Sequence, residues 1–147
     1  MLIEKTGRVL PFSQEQVFDL AADIERYPDY LPGWISASIQ SRDANTWCVE
    51  QVLGRGPVRV RFTSKAVLQR PECVDITSSD LLFRQFSLSL RVLASPSAGC
   101  SLSLTAQLEL QSRFLQGILY QVLTASVDGS IAAFEARAHS IYEPGHP

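Results

Sequence analysis

The side chains best suited to covalent or metal chemistry are few in this chain and poorly placed for it. There are two histidines, His139 and His146, and three cysteines, Cys48, Cys73 and Cys100. His139 falls near the end of a long helical pattern and His146 lies in the C-terminal tail. Neither has a Cys or Ser that spacing puts beside it, so no nucleophile–base pair is expected. The cysteines are odd in number and far apart, with no CxxC or Cys/His cluster. A zinc site and a disulfide framework are therefore not expected, and a reducing compartment is the simpler reading. No catalytic residue, metal site or cofactor is predicted.

Two other polar residues carry more information. Gln51 and Ser64 fall on the apolar face of their strands. A polar group on an inward face needs a partner. A ligand carbonyl, a cavity water or a neighbouring side chain could each supply it.

The elements that must position these residues follow from periodicity. Residues 2–10 read as a strand. Ser13-Gln14-Glu15-Gln16 is a capping box that should start a helix over 14–24, with Val17, Leu20, Ala21 and Ile24 as its apolar stripe. Pro28 and Pro32 forbid a continuous helix through Arg26–Gly33 and leave a short helical turn. From Trp34 the period changes to two. Six strands follow, separated by turns at 42–45, 54–57, 70–72, 78–80 and 95–99. The clearest alternation is in 58–68. There Val58, Val60, Phe62, Ser64, Ala66 and Leu68 share one face, and Arg59, Arg61, Thr63 and Lys65 the other. Such a pattern means one covered face and one wet face. Strand 84–93 turns Phe86, Leu88, Leu90 and Val92 inward, and strand 100–110 does the same with Leu102, Leu104, Ala106 and Leu108. A helix over 113–141 closes the chain; at ~1.5 Å per residue it spans roughly 43 Å.

The order β-α-α-β-β-β-β-β-β-α predicts an α+β fold: a curved antiparallel sheet of six to seven strands around one long C-terminal helix. One helix cannot fill the whole concavity of such a sheet, so a cavity is expected between them. Its candidate lining is Val49, Gln51, Val60, Phe62 and Ser64 from the central strands. Phe86, Leu88 and Leu104 would come from the later strands, and Leu119 and Val122 from the helix. Any of these can equally be plain core. Tyr27, Tyr30 and Leu31, with Trp34 beside them, form a Pro-punctuated segment that could gate the cavity or touch a membrane or partner. A lid packed on the sheet edge is the plainer alternative.

Composition agrees with a globular chain forming one domain over residues 1–147. It has 147 residues, 46% of them hydrophobic and 19% charged, with a net charge of −2. That excludes a disordered chain and gives no basic footprint for DNA. Eleven of the thirteen basic residues are arginine. The row Arg59, Arg61, Lys65 could contact acidic lipid or rRNA, or simply form a solvated face opposite carboxylates such as Glu50. The N-terminus lacks the apolar stretch of a secretory signal, and no apolar run approaches the ~20 residues of a membrane-spanning helix. A cytoplasmic location is expected, with peripheral contact at the inner membrane allowed.

The element order resembles the START-like helix-grip superfamily, which includes polyketide cyclases/dehydrases, lipid-transfer domains and coenzyme Q-binding proteins. Three segments point to the last group. "SQEQVFDLAADIERYPDYLP", Ser13 to Pro32, is similar to its opening helix and acidic-aromatic ERYP motif. "VRVRFTSKAVL", Val58 to Leu68, resembles its Phe-Thr-Ser-Arg strand, with Lys65 in place of Arg. "AAFEARAHSIY", Ala132 to Tyr142, resembles its closing helix, with Phe134 and Arg137 as the Phe-x-x-Arg pair. Departures occur at Pro32-Gly33-Trp34, where the family has Pro-Trp-Cys. They recur at Ser78–Phe83, where it has Gly-Pro-Phe before a strand carrying Trp. The resemblance implies binding of a hydrophobic small molecule, a polyprenyl quinone or related lipid, by a carrier or chaperone. It also admits two alternatives: a ribosome-association inhibitor of the toxin type, or a polyketide cyclase/dehydrase.

Overall fold

The computed structural model describes residues 2–143, apart from the side chains of residues 114–116, 118 and 119. Strand β1 (Leu2–Thr6) is followed by helix α1 (Gln14–Ala22), a 3-10 turn (Ile24–Arg26) and the one-turn helix α2 (Tyr27–Tyr30). Six strands come next: β2 (Trp34–Asp43), β3 (Thr46–Arg55), β4 (Val58–Gln69), β5 (Cys73–Thr77), β6 (Phe83–Ala94) and β7 (Cys100–Leu110). Helix α3 (Arg113–Tyr142) is the last element among the described residues. The strands form one antiparallel sheet in the order β1-β7-β6-β5-β4-β3-β2. This is the α+β helix-grip architecture: a meander from β2 to β7, closed by β1 returning beside β7.

Strand parity holds through the sheet. In β4 the burial alternates residue by residue, with Val60, Phe62, Ser64 and Ala66 covered and Arg59, Arg61, Thr63 and Lys65 exposed. The covered face of β7 is Cys100, Leu102, Leu104, Ala106 and Leu108. Together with Phe86, Leu88 and Leu90 of β6 these residues form the core that α1 and α3 cap.

Helix α1 starts as the capping box requires. Gln16 N–H donates to Ser13 Oγ at 3.1 Å, and Ser13 N–H donates to Gln16 Oε1 at 3.0 Å. The helix ends at Ala22 rather than at residue 24. The Tyr27 hydroxyl donates to the Ala21 carbonyl, which a longer helix would have used for its own ladder. The first strand also stops short of the expected residue 10, at Thr6. Glu135 of α3 accepts the Arg8 amide at 2.6 Å, drawing the chain off the sheet until Leu10 pairs once more with Cys100.

Helix α3 has two unlike halves. From Val122 onward one side is buried: Val122, Leu123, Ser126, Val127, Ser130, Ile131, Phe134 and Ala138. Ile141, which continues the same apolar line in sequence, is exposed in the last turn. The two buried serines satisfy themselves within the helix, Ser126 Oγ donating to Val122 O (2.9 Å) and Ser130 Oγ to Ser126 O (2.6 Å). Being small, they let the chain between α2 and β2 press onto the helix. A Cβ on Gly129 would come within 2.8 Å of Pro32 Cγ, and one on Gly33 within 1.8 Å of Ser126 Oγ.

Candidate functional site

Gln51 of β3 and Ser64 of β4 lie diagonally across the two strands and are partnered by protein. Trp34 Nε1 donates to Gln51 Oε1 (3.0 Å), Gln51 Nε2 donates to Ser64 Oγ (2.8 Å), and Ser64 Oγ donates to the Val49 carbonyl (3.2 Å). Of the partners open to them from sequence, neighbouring groups are the ones used. The chain of bonds runs from the start of β2 across β3 to β4, and Gln51 and Ser64 are both buried. Trp34 supplies the terminal donor, a link between two segments that sequence spacing could not reveal.

The other expected lining residues are brought together on the concave face. Val49, Val60, Phe62, Phe86, Leu88 and Leu104 are all buried there. Phe62, Phe83 and Phe86 form a cluster with ring centroids 4.8–5.0 Å apart, packed edge-on and tilted. Val122 sits where α3 meets this layer. Leu119 lies outside the described residues.

The segment expected to gate is tied down on α3. Tyr27 is fully buried, and Leu31 and Trp34 nearly so, whereas Tyr30 is half-buried. Tyr27 stands edge-on to Trp34 (5.8 Å) and Phe134 (5.6 Å), and Phe134 stands edge-on to Tyr30 (5.6 Å). Arg137 lies over the Tyr30 ring at 5.1 Å. The ERYP segment and the Phe-x-x-Arg pair, over a hundred residues apart, therefore meet as one aromatic joint. Glu25 ties the same segment to β2 by accepting the Ile39 amide at 2.9 Å. Burial pushes the phenols of Tyr27 and Tyr30 well up; the Arg137 charge partly opposes this at Tyr30.

Open space lies along the other half of α3. One cavity of about 620 Å³ is bounded by Arg84, Glu109, Leu110 and Gln111 on the sheet side and by Arg113, Gly117, Tyr120 and Gln121 on the helix. Gly117 and Gln121 also bound a second, of about 450 Å³, with Arg55, Val58 and Val122. Val122 leads on to a third, of about 220 Å³, with Pro32, Gly33, Gly54, Arg55, Ala125 and Ser126. The three adjoin, so the amino-terminal half of α3 stands over a cleft at one end of the sheet. Of the described residues expected as lining, only Val122 borders this cleft. Arg55, Arg84, Arg113, Tyr120 and Gln121 were not foreseen, because strand parity says nothing about the rim where three turns converge. Gly117 was the one available signal, a gap in a helix otherwise rich in large side chains.

A separate concavity of about 680 Å³ opens on the wet face, where Ser41, Cys48, Lys65 and Thr77 lie side by side across four strands. His139 packs against the Phe12 ring at 5.2 Å and approaches Glu143 at 3.6 Å. His146 lies outside the described residues. Burial raises the thiols of Cys73 and Cys100 above their usual value, away from the reactive thiolate. Among the described residues no group of His, Cys, Asp and Glu is arranged to hold a metal, and no helix is long and apolar enough to cross a membrane.

A curved sheet gripping one long helix, with a cleft at the helix's amino-terminal half, defines the START-like class. Residues 10–135 match the family described as polyketide cyclase / dehydrase and lipid transport, and the chain belongs to it. It is 24% identical over 135 residues to the ribosome association toxin RatA of Pseudomonas aeruginosa, covering 91% of this chain and 93% of that protein. It is also 24% identical over 150 residues to the mitochondrial coenzyme Q-binding protein COQ10 of Dictyostelium discoideum, covering 97% and 71%. Among solved structures, the Zhui aromatase/cyclase of Streptomyces sp. R1128 superposes with a TM-score of 0.82 at 15% identity, covering 100% of this chain and 99% of that one.

Proposed function

We propose that the chain binds one hydrophobic small molecule, a polyprenyl quinone or related lipid, between the sheet and α3, and acts as a carrier without covalent chemistry. The observation that carries this reading is the cleft under the amino-terminal half of α3, against the close packing of the other half. A quinone offers only hydrogen-bond acceptors at its head. The rim supplies donors in Arg55, Arg113, Tyr120 and Gln121, and Val58, Leu110 and Val122 offer apolar surface for a chain. Apolar burial would supply affinity at roughly 25 cal/mol per Å² before ordering costs. The bonding of Gln51 and Ser64 to Trp34 and Val49 also favours a carrier, since the inward polar groups that could guide a reacting polyketide are already engaged. The expected lining from Val49 to Leu104 would become ligand contacts if α3 lifts to admit the cargo, with the Tyr27–Trp34 joint as its pivot. Titration with a short-chain ubiquinone followed by native mass spectrometry tests the reading. A one-to-one adduct is expected, and a protein that arrives empty and takes up no quinone defeats it.

A second reading is favoured by the similarity to RatA, which spans nearly the whole of both chains. On it the chain binds the ribosome and interferes with subunit association. Co-sedimentation with isolated large subunits is expected on that reading, and is not expected of a pure carrier.

A further inference from the structure

The end of the molecule that bears the cleft also presents one leucine to solvent, and the chain there is built to keep it out. Leu81, between β5 and β6, is 89% exposed, the most exposed of the large apolar side chains described. The two residues that follow it turn inward: Leu82 packs against the core and Phe83 is buried. The turn is held by many bonds. Asp80 accepts the Leu82 amide (3.1 Å) and the Thr63 amide (3.4 Å), Ser78 Oγ donates to the Thr63 carbonyl (2.6 Å), and Phe83 N–H donates to Asp80 O (3.0 Å). Gln111 N–H donates to the Leu82 carbonyl at 3.0 Å, fixing the turn beside the start of α3. A leucine on such a turn is pre-ordered for a partner, since little chain freedom is left to lose on contact.

The charge around it is positive. Arg113 and Arg84 border the larger cavity and Arg55 the adjoining one. Of the two acids nearby, Glu109 pairs with Arg84 at 3.3 Å and Asp80 is occupied by backbone amides. None of the ion pairs among the described residues uses Arg55 or Arg113.

We infer that this end, with Leu81 at its tip and Arg55, Arg84 and Arg113 around it, docks on an anionic lipid surface. The arginines would lie at the headgroups and the leucine would enter the acyl boundary. Tyr120, exposed on α3 over the same cavity, suits the interface, where an amphipathic ring is at home. The arginines alone would fit RNA as well. The leucine decides between the two, because phosphates and base edges give an aliphatic side chain little to bury against. The surface stands on these residues alone; its use, opening the cleft to the membrane that holds the cargo, rests on the carrier reading above.

Sedimentation with vesicles of phosphatidylcholine and phosphatidylglycerol, against pure phosphatidylcholine, tests it. Binding to the mixed vesicles only is expected, falling as salt shortens the screening length toward ~3 Å at 1 M. Leu81→Asp should weaken that binding about tenfold, with an unchanged thermal midpoint, because the side chain touches almost nothing in the fold. Arg55→Glu should weaken it several-fold. Equal binding to both vesicle types, no vesicle binding, or binding that Leu81→Asp leaves intact overturns the inference. So does a protein that ignores vesicles but binds large ribosomal subunits through the same arginines. Quinone titration without vesicles, run on wild type and Leu81→Asp, separates the two proposals. Quinone uptake with no vesicle binding removes the docking surface, and vesicle binding with no uptake removes the cargo.

Discussion

Trp34 Nε1 lies 3.0 Å from Gln51 Oε1, and this bond joins the first residue of β2 to the buried face of β3. It ends a chain of donors and acceptors that leaves Gln51 and Ser64 satisfied without a ligand. Removing one member strands the others. Gln51→Met should destabilise the fold by about 1–3 kcal/mol, the cost of leaving a buried donor unpaired. Adding Trp34→Phe should recover part of that loss, because both ends of the bond are then apolar. Urea denaturation of the two single variants and the double variant measures it. Simple additivity would show that water replaces the missing partner.

Gly33 carries a positive φ of 83° and its absent Cβ leaves room for Ser126. Gly33→Ala should cost at least about 2 kcal/mol, from the left-handed conformation and the overlap together. Ser126→Gly in the same background should return the overlap but not the conformational part. A thermal-melt series over the three variants separates the two contributions.

Gly117 has the opposite surroundings. Apart from its chain neighbours and the backbone of its own helix, nothing lies within 4 Å of where its Cβ would stand. Gly117→Ala should therefore stabilise α3 by about 0.5–1 kcal/mol. Gly117→Trp should fill the cleft and reduce quinone uptake at least several-fold while the fold persists. Circular dichroism and the mass-spectrometric titration, taken together, check both statements. Undiminished uptake by Gly117→Trp would move the ligand elsewhere.

Burial holds the phenols of Tyr27 and Tyr30 protonated well above their ordinary range. The unfolded phenol titrates near pH 10. Below that value both states keep the proton and stability does not depend on it. Above it the unfolded chain releases the proton first, so stability falls as pH rises toward the folded value. Each lagging tyrosine takes away up to about 1.4 kcal/mol per pH unit. Tyr27→Phe should cost about 1 kcal/mol at neutral pH, from the lost bond to the Ala21 carbonyl, and should flatten the alkaline slope. Urea midpoints from pH 8 to 11 test the sign; a wild-type curve level to pH 11 contradicts it.

Much of the fold was legible in the residues. Alternation fixed which face of β4, β6 and β7 is covered, because one buried side chain out of two is a strong local constraint. Ser13 and Gln16 marked the start of α1 by a bond only three residues long. The ends of elements were less legible. Ala22 closes α1 because Tyr27 reaches back to Ala21, and Thr6 closes β1 because Glu135, over a hundred residues away, takes the Arg8 amide.

The candidate site divides along the same line. The sequence by itself determined the concave apolar face, from Val49 and Gln51 through Phe62 to Leu104, and the long helix laid against it. Both follow from periodicity, which depends on neighbours a few residues apart. Only the tertiary structure decided where space is left and who borders it. Arg55, Arg84, Arg113 and Gly117 sit on three different elements and meet only when three turns converge at one end of the sheet. It also decided that Gln51 and Ser64 answer to Trp34 and Val49, and that Tyr27 is held under Phe134. Partner choice is a matter of distance across the fold, and no spacing along the chain encodes that distance.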